Sequence, residues 1–267
     1  MLTRDGFARH FGLKPLFGMV HLRPLPGAPL FGGSVDEVIE AALADAKEIA
    51  AGGCDGLVFE NFGDRPFAKN RVGAETVASM ARALAEVVRE VRLPFGVNVL
   101  RNDALSALGI AAATGAAFIR VNVHTGVMFA DQGMIEGEAA ETVRRRATMA
   151  PGVLIFADHL VKHATPPPGT DAGQSAKDLR LRGLADVLIV SGTETGAAPP
   201  ADRLALVRAA VDAPIVIGSG LSAENAGVFA DADGAIVGTS IKRGGDVDGP
   251  VERERVERLV EAWRGFR

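Results

Sequence analysis

The sequence predicts an α/β fold, a single closed (β/α)8 TIM barrel, and three observations lead there. Eight short apolar runs rich in β-branched residues recur along the 267 residues, eight helical patterns alternate with them, and the long connections all leave the same end of the runs. Strands that alternate with helices must run parallel and be joined by helical crossovers, and eight such units in this length fill a closed barrel with little left over. An open doubly wound sheet is the competitor, with fewer strands and exposed edges.

In chain order, residues 1–14 are an N-terminal extension, and PLFGMVHL (15–22) is the first buried run. Ser34 followed by Glu37 makes a capping box ahead of a helical pattern over 38–53 that closes on glycines. GLVFENF (56–62) precedes the helix 73–91, FGVNVL (95–100) the helix 103–115, and FIRVNV (118–123) the helix 136–150. VLIFADHL (153–160) precedes the helix 172–183, VLIVSG (187–192) the helix 200–211, and IVIGSG (215–220) the helix 222–232. GAIVGTSI (234–241) and the helix 251–266 complete the set. No linker or shift of composition divides the chain, so residues 1–267 read as one domain.

Loop lengths orient the barrel. Helix-to-strand links such as RLP and DAP are short, whereas RPLPGAPLFGG, NFGDRPFAKNRV, HTGVMFADQGMI and HLVKHATPPPGTD follow strands. The carboxyl ends of the strands therefore carry the elaborated face, where barrel enzymes keep their sites. Strand four then sends Ile119, Val121 and Val123 toward the helices and Arg120, Asn122 and His124 toward the interior near the top. The plainer reading is a half-buried strand with a solvated face.

Two stretches form an expected phosphate grip. Gly218, Ser219 and Gly220 follow strand seven, and Gly238, Thr239 and Ser240 follow strand eight, the two positions at which this fold repeatedly binds phosphate. Glycine also serves any tight turn, so the pairing of the two stretches carries the argument.

Composition excludes other classes. The net charge of -4, with basic residues scattered, lacks the footprint of a nucleic-acid binder. No apolar run reaches the length of a membrane span, the N-terminus lacks a signal-peptide core, and Cys54 is the sole cysteine, so a cytoplasmic protein is expected.

GMVHLRPLPGAP (18–29), GCDGLVFENFGDRPF (53–67), RVNVHTG and GTSIKRGG with PVERERV resemble the BtpA family, and the resemblance covers nearly the whole chain. It implies a barrel of the ribulose-phosphate-binding type. The family's bacterial members include one named for photosystem I biogenesis, so the resemblance also offers a non-catalytic assembly or stability factor.

Candidates for chemistry gather at the strand ends. Glu60 and Asp158 are the first choices for general acid and base, with His21, His124 and Arg120 beside them, and Glu194 follows strand six. The structural alternative is a buried ion pair with Arg120. Asn98 and Asn122 would orient sugar hydroxyls; Lys162 and Lys242 would neutralise a phosphate, and Lys162 has the chemistry for a Schiff base. A divalent metal would need Asp158, His159 and Glu60 to meet in space, since no tight ligand spacing is present. His163 reads as a surface residue, while Phe62, Arg65, Phe67 and Lys69 in loop two either pin that loop or grip a ring. The Pro- and Gly-rich loops one and five suit rigid walls or closing lids equally. The expectation is isomerase, lyase or aldolase chemistry on a phosphorylated sugar or nucleotide-like molecule, in a homo-oligomer.

Overall fold

The computed structural model describes residues 1–266. Its strands are β1 (Leu16–His21), β2 (Gly56–Glu60), β3 (Phe95–Asn98), β4 (Phe118–Val121), β5 (Val127–Ala130), β6 (Gly133–Glu136), β7 (Leu154–His159), β8 (Ala164–Thr165), β9 (Val187–Val190), β10 (Ile215–Ile217) and β11 (Gly234–Val237). All eight apolar runs become parallel barrel strands, β1-β2-β3-β4-β7-β9-β10-β11, and β11 closes on β1 with Leu16 opposite Ala235. Around them pack α2 (Val35–Ala51), α3 (Ala74–Glu90), α4 (Ala104–Thr114), α5 (Ala139–Met149), α6 (Ala172–Lys177), α7 (Ala201–Ala210) and α8 (Arg253–Arg264). Ser34 caps α2 as expected, its hydroxyl accepting from the Glu37 amide at 3.2 Å.

Period-two alternation divides each strand between two cores. Leu57, Phe59, Ile119, Val121, Ile155 and Ala157 face outward into the layer shared with the helices. On α3, Met80, Leu84 and Val87 lie fully buried at helical spacing, each contributing ~1.5–3 kcal/mol over an exposed position. Phe17, Val58, Phe118, Phe156, Ile189 and Val216 face inward. Phe118 and Phe156 stack at 4.0 Å, and an alanine Cβ at Gly96 would meet the Phe118 ring at 2.1 Å, so only glycine leaves that ring its place.

Residues 1–14 prove to be part of this core. Helix α1 (Arg4–Phe11) starts at Thr3, whose hydroxyl accepts from the Gly6 amide. It inserts Phe7 and Phe11 beneath the barrel, with Phe11 5.2 Å from Phe17 and 5.9 Å from Phe118. The floor of the interior is thereby apolar, and polar residues enter only above it.

Three expected elements differ. Only a 3-10 turn, Ala226–Phe229, forms where a seventh helix was expected, and α6 passes into a π-helical turn over Asp178–Arg182. Loops four and five are not plain loops: β5 and β6 form a hairpin, and β8 pairs with β5. Its alternation falls in a segment too short to stand apart from loop sequence, and the sheet is stable because Met128 and Ile135 pack with Val123 and Val161. Among the described residues, no helix is long and apolar enough to cross a membrane.

Candidate active site at the carboxyl ends of the strands

A polar layer sits directly above the aromatic floor. Because Phe118 and Phe156 face inward, so do Arg120 and Asp158 two residues on. Arg120 donates from Nε and Nη2 to the two oxygens of Asp158, both at 2.9 Å, with the pair fully sheltered. Asn122 donates to Asp158 at 3.0 Å, and the Ser191 hydroxyl, at the end of β9, lies 3.3 Å from it. Asp158 therefore accepts four hydrogen bonds from three side chains, two on each oxygen. Asp158, expected as one of two proton-transfer carboxylates, is thus engaged on both oxygens, chiefly by Arg120.

Glu60 is different. It accepts from the Asn98 amide at 2.5 Å and stands 3.9 Å from His21 Nε2, yet it still faces open space. His21 stacks on Phe62 at 4.6 Å, and burial, then the charges of Lys242 and Lys162, push its imidazole down to about 3. His21 is therefore neutral at pH 7 and makes no ion pair with Glu60.

Two cavities meet over this layer, of about 320 Å³ and about 660 Å³. Glu60, Arg120, Lys162 and Thr195 line both, so they form one cleft. Its inner end is walled by Gly218–Ser222 and Gly238–Ser240, the two stretches expected to grip phosphate. Its outer end is walled by Phe62, Phe67, Arg65, Arg101, Asp131 and His163. Burial, then repulsion from Arg120, holds the Lys162 amine down to about 8, and among the described residues that amine has no hydrogen bond or ion pair.

Unpartnered buried atoms cluster here: Ser240 Oγ, His21 Nδ1, Asn98 Oδ1, Asn122 Oδ1 and Arg101 Nε. Buried polar groups are normally hydrogen-bonded, so such a set in one place is unusual.

The glycines have separate roles. Gly220 has φ +71, and a Cβ there would come within 2.1 Å of the Ala198 amide nitrogen, so its first task is to let the loop after β9 close down. The Ser219 hydroxyl is likewise engaged by that loop, donating to Ala197 and accepting from the Gly192 amide. A Cβ on Gly238 would sit 3.2 Å from His21. Thr239 and Ser240 line the cleft beside it.

Several expected residues lie elsewhere. The chain bends after Val121, and His124 turns away from the cleft to the Gly183 carbonyl at 2.8 Å. His159 follows Asp158 on the strand and so faces outward, bonded to the Ala172 carbonyl at 2.9 Å. Asp158 and His159 thus look in opposite directions and do not meet Glu60 as a ligand set; among the described residues no metal-binding cluster of His, Cys, Asp or Glu occurs. Lys242 reaches Asp45 of α2 at 2.9 Å, because the turn after β11 carries it outward. Glu194 and Lys69 are exposed and line neither cavity, and His163 is exposed as expected, though it borders the outer cavity.

The sequence reading missed Arg101, Ser191 and Thr195. The signal for Arg101 was the polar triplet RND (101–103) directly after strand three. Asn102 of that triplet holds Val123 through both backbone groups, and Asp103 caps α4 through the Ser106 amide.

A closed parallel barrel with a polar cleft at the strand carboxyl ends defines a (β/α)8-barrel protein with its open face on that side. Within that class the chain belongs to the BtpA family, whose signature matches residues 12–265. It is 47% identical to an uncharacterized protein of Thermococcus kodakarensis (96% of this chain, 98% of the relative). It is 46% identical to the photosystem I biogenesis protein BtpA of Synechocystis (93% and 88%), and 32% identical to an uncharacterized mitochondrial protein of Caenorhabditis elegans (93% and 92%). Among solved structures, phosphoribosyl anthranilate isomerase from Thermococcus kodakaraensis aligns with a TM-score of 0.57 at 15% identity, covering 94% of this chain and 99% of that one. KGPDC from Streptococcus mutans aligns with a TM-score of 0.57 at 11% identity (95% and 99%). These last two likenesses are of fold.

Proposed function

We propose that the protein is a cytoplasmic enzyme that moves a proton on a phosphorylated sugar or similar small molecule, in isomerase, lyase or aldolase chemistry. One observation carries this reading. Glu60 and the partnerless Lys162 amine face the same cleft, which also meets the glycine-rich stretches after β10 and β11.

The phosphate is held on backbone amides of Ser219, Gly220 and Gly238–Ser240, the Gly218 amide being given to the Val190 carbonyl, which places the sugar over Glu60. Glu60, steadied by Asn98, takes a proton from carbon next to a carbonyl. The electron pair moves onto the carbonyl oxygen, and Lys162, close to half protonated near pH 8, gives that oxygen a proton. Arg120 supplies fixed positive charge beneath, held in place by Asp158. The two proton-transfer roles thus belong to a carboxylate and an amine on the same cleft.

The test begins with a thermal-shift screen of phosphorylated metabolites and divalent ions, since a ligand that binds only the folded state raises Tm. On the compound that is turned over, Glu60→Gln keeps binding within about an order of magnitude and lowers kcat by ~10²-fold or more. Unchanged kcat removes Glu60 from the chemistry.

A second reading follows from the printed name of the Synechocystis relative, a photosystem I biogenesis protein, and makes this chain a non-catalytic assembly factor. In that case no phosphorylated compound shifts Tm, and substitutions in the cleft leave partner binding untouched. The unpartnered polar atoms around the cleft favour the enzyme.

A further inference from the structure

Arg101 is the unusual cation of the outer cavity. It is 5% exposed, its Nε is buried without a hydrogen-bond partner, and its Nη2 donates to the Lys162 carbonyl at 2.9 Å. Among the described residues no carboxylate lies within 4.0 Å of its guanidinium. Arg120 and Arg65, by contrast, are paired with Asp158 and Asp248.

A buried guanidinium cannot escape its cost by losing a proton, so it needs a counter-charge. The carboxylates nearby do not provide one at contact. Asp131 is exposed in the β5–β6 turn and takes the Gln132 amide, while Glu60 takes the Asn98 amide. Burial pulls the Arg101 guanidinium down from its ordinary value, as expected of a cation short of a partner. The Lys162 amine faces the same cavity.

We propose that Arg101 binds a second oxyanion of the ligand, so that the natural ligand carries an anionic group at each end. This rests on reading the inner end of the cleft as the seat of a phosphate. The outer group is a carboxylate or a second phosphate, since a guanidinium fork accepts either in bidentate fashion. The ligand class is therefore a sugar bisphosphate or a phosphorylated sugar acid, extended from Gly238 to Arg101 across Glu60. Phe62 and Phe67 form the apolar wall that keeps water from the outer pair.

Calorimetric titration of the full chain with two matched pairs tests this: ribulose 5-phosphate against ribulose 1,5-bisphosphate, and glucose 6-phosphate against 6-phosphogluconate. At least one doubly anionic member binds about 10-fold or more tightly than its partner, the scale of a charge-assisted hydrogen bond. Which pair shows the preference tells phosphate from carboxylate. Arg101→Gln abolishes the preference and leaves the monophosphates within about 2-fold, Arg101→Lys keeps part of it, and Gly238→Ala weakens every compound alike. The wild-type comparison requires no variant to fold. Equal affinity within both pairs, or a preference that survives Arg101→Gln, overturns the proposal while leaving the phosphate seat standing. Binding of none of the four overturns the phosphate seat, and this proposal with it.

Discussion

Arg120 and Asp158 face each other across neighbouring strands β4 and β7, joined by two parallel hydrogen bonds of 2.9 Å. The pair forms the ceiling of the apolar core and the floor of the cleft. Removing one member leaves an unpaired buried charge, whose penalty exceeds what the intact pair contributes.

Arg120→Leu therefore destabilises the fold by ~3–5 kcal/mol in urea denaturation. Arg144→Leu, on the exposed face of α5, stays within about 0.5 kcal/mol of the parent. Equal, small losses would show that Asp158 finds another partner or a proton at no cost.

The two phosphate-side glycines separate fold from ligand. Gly220→Val places a β-branched side chain at φ +71 against the Ala198 backbone, so the variant loses stability before any ligand is added. Gly238→Ala, at φ -131, keeps the parent Tm within about 2 °C while halving, or more, the Tm rise produced by phosphorylated ligands. A full ligand shift in Gly238→Ala would move the phosphate elsewhere.

Lys162 makes stability depend on pH in a definite direction. Its amine titrates near about 8 in the fold and at 10.5 when exposed, so between these values the unfolded chain holds more protons and folding becomes more favourable as pH rises. Lys162→Met removes the cost of the buried charge. The variant is more stable than the parent at pH 7, and the gap narrows toward pH 10.5, read by urea denaturation in steps of pH. Curves that run parallel across this window would mean that the amine is solvated and free to leave the cleft.

The sequence by itself determined the barrel, its direction and the end that carries the cleft. Those follow from local chemistry: β-branched runs bury on both faces, helical patterns demand crossovers, and long polar loops cannot be buried. Alternation also placed Arg120 and Asn122 inside, because two residues along a strand always share a face. Tertiary structure decided everything that depends on partners distant in sequence. It paired Arg120 with Asp158, leaving Glu60 to face Lys162, and it turned His124 toward Gly183 once β4 had ended. It sent Lys242 to Asp45, 197 positions away, drew α1 in as the barrel floor, and left Arg101 buried without a counter-ion among the described residues. Periodicity fixes which face a side chain takes, but the neighbour it meets there is set by the closure of eight strands around a common axis, which no local pattern records.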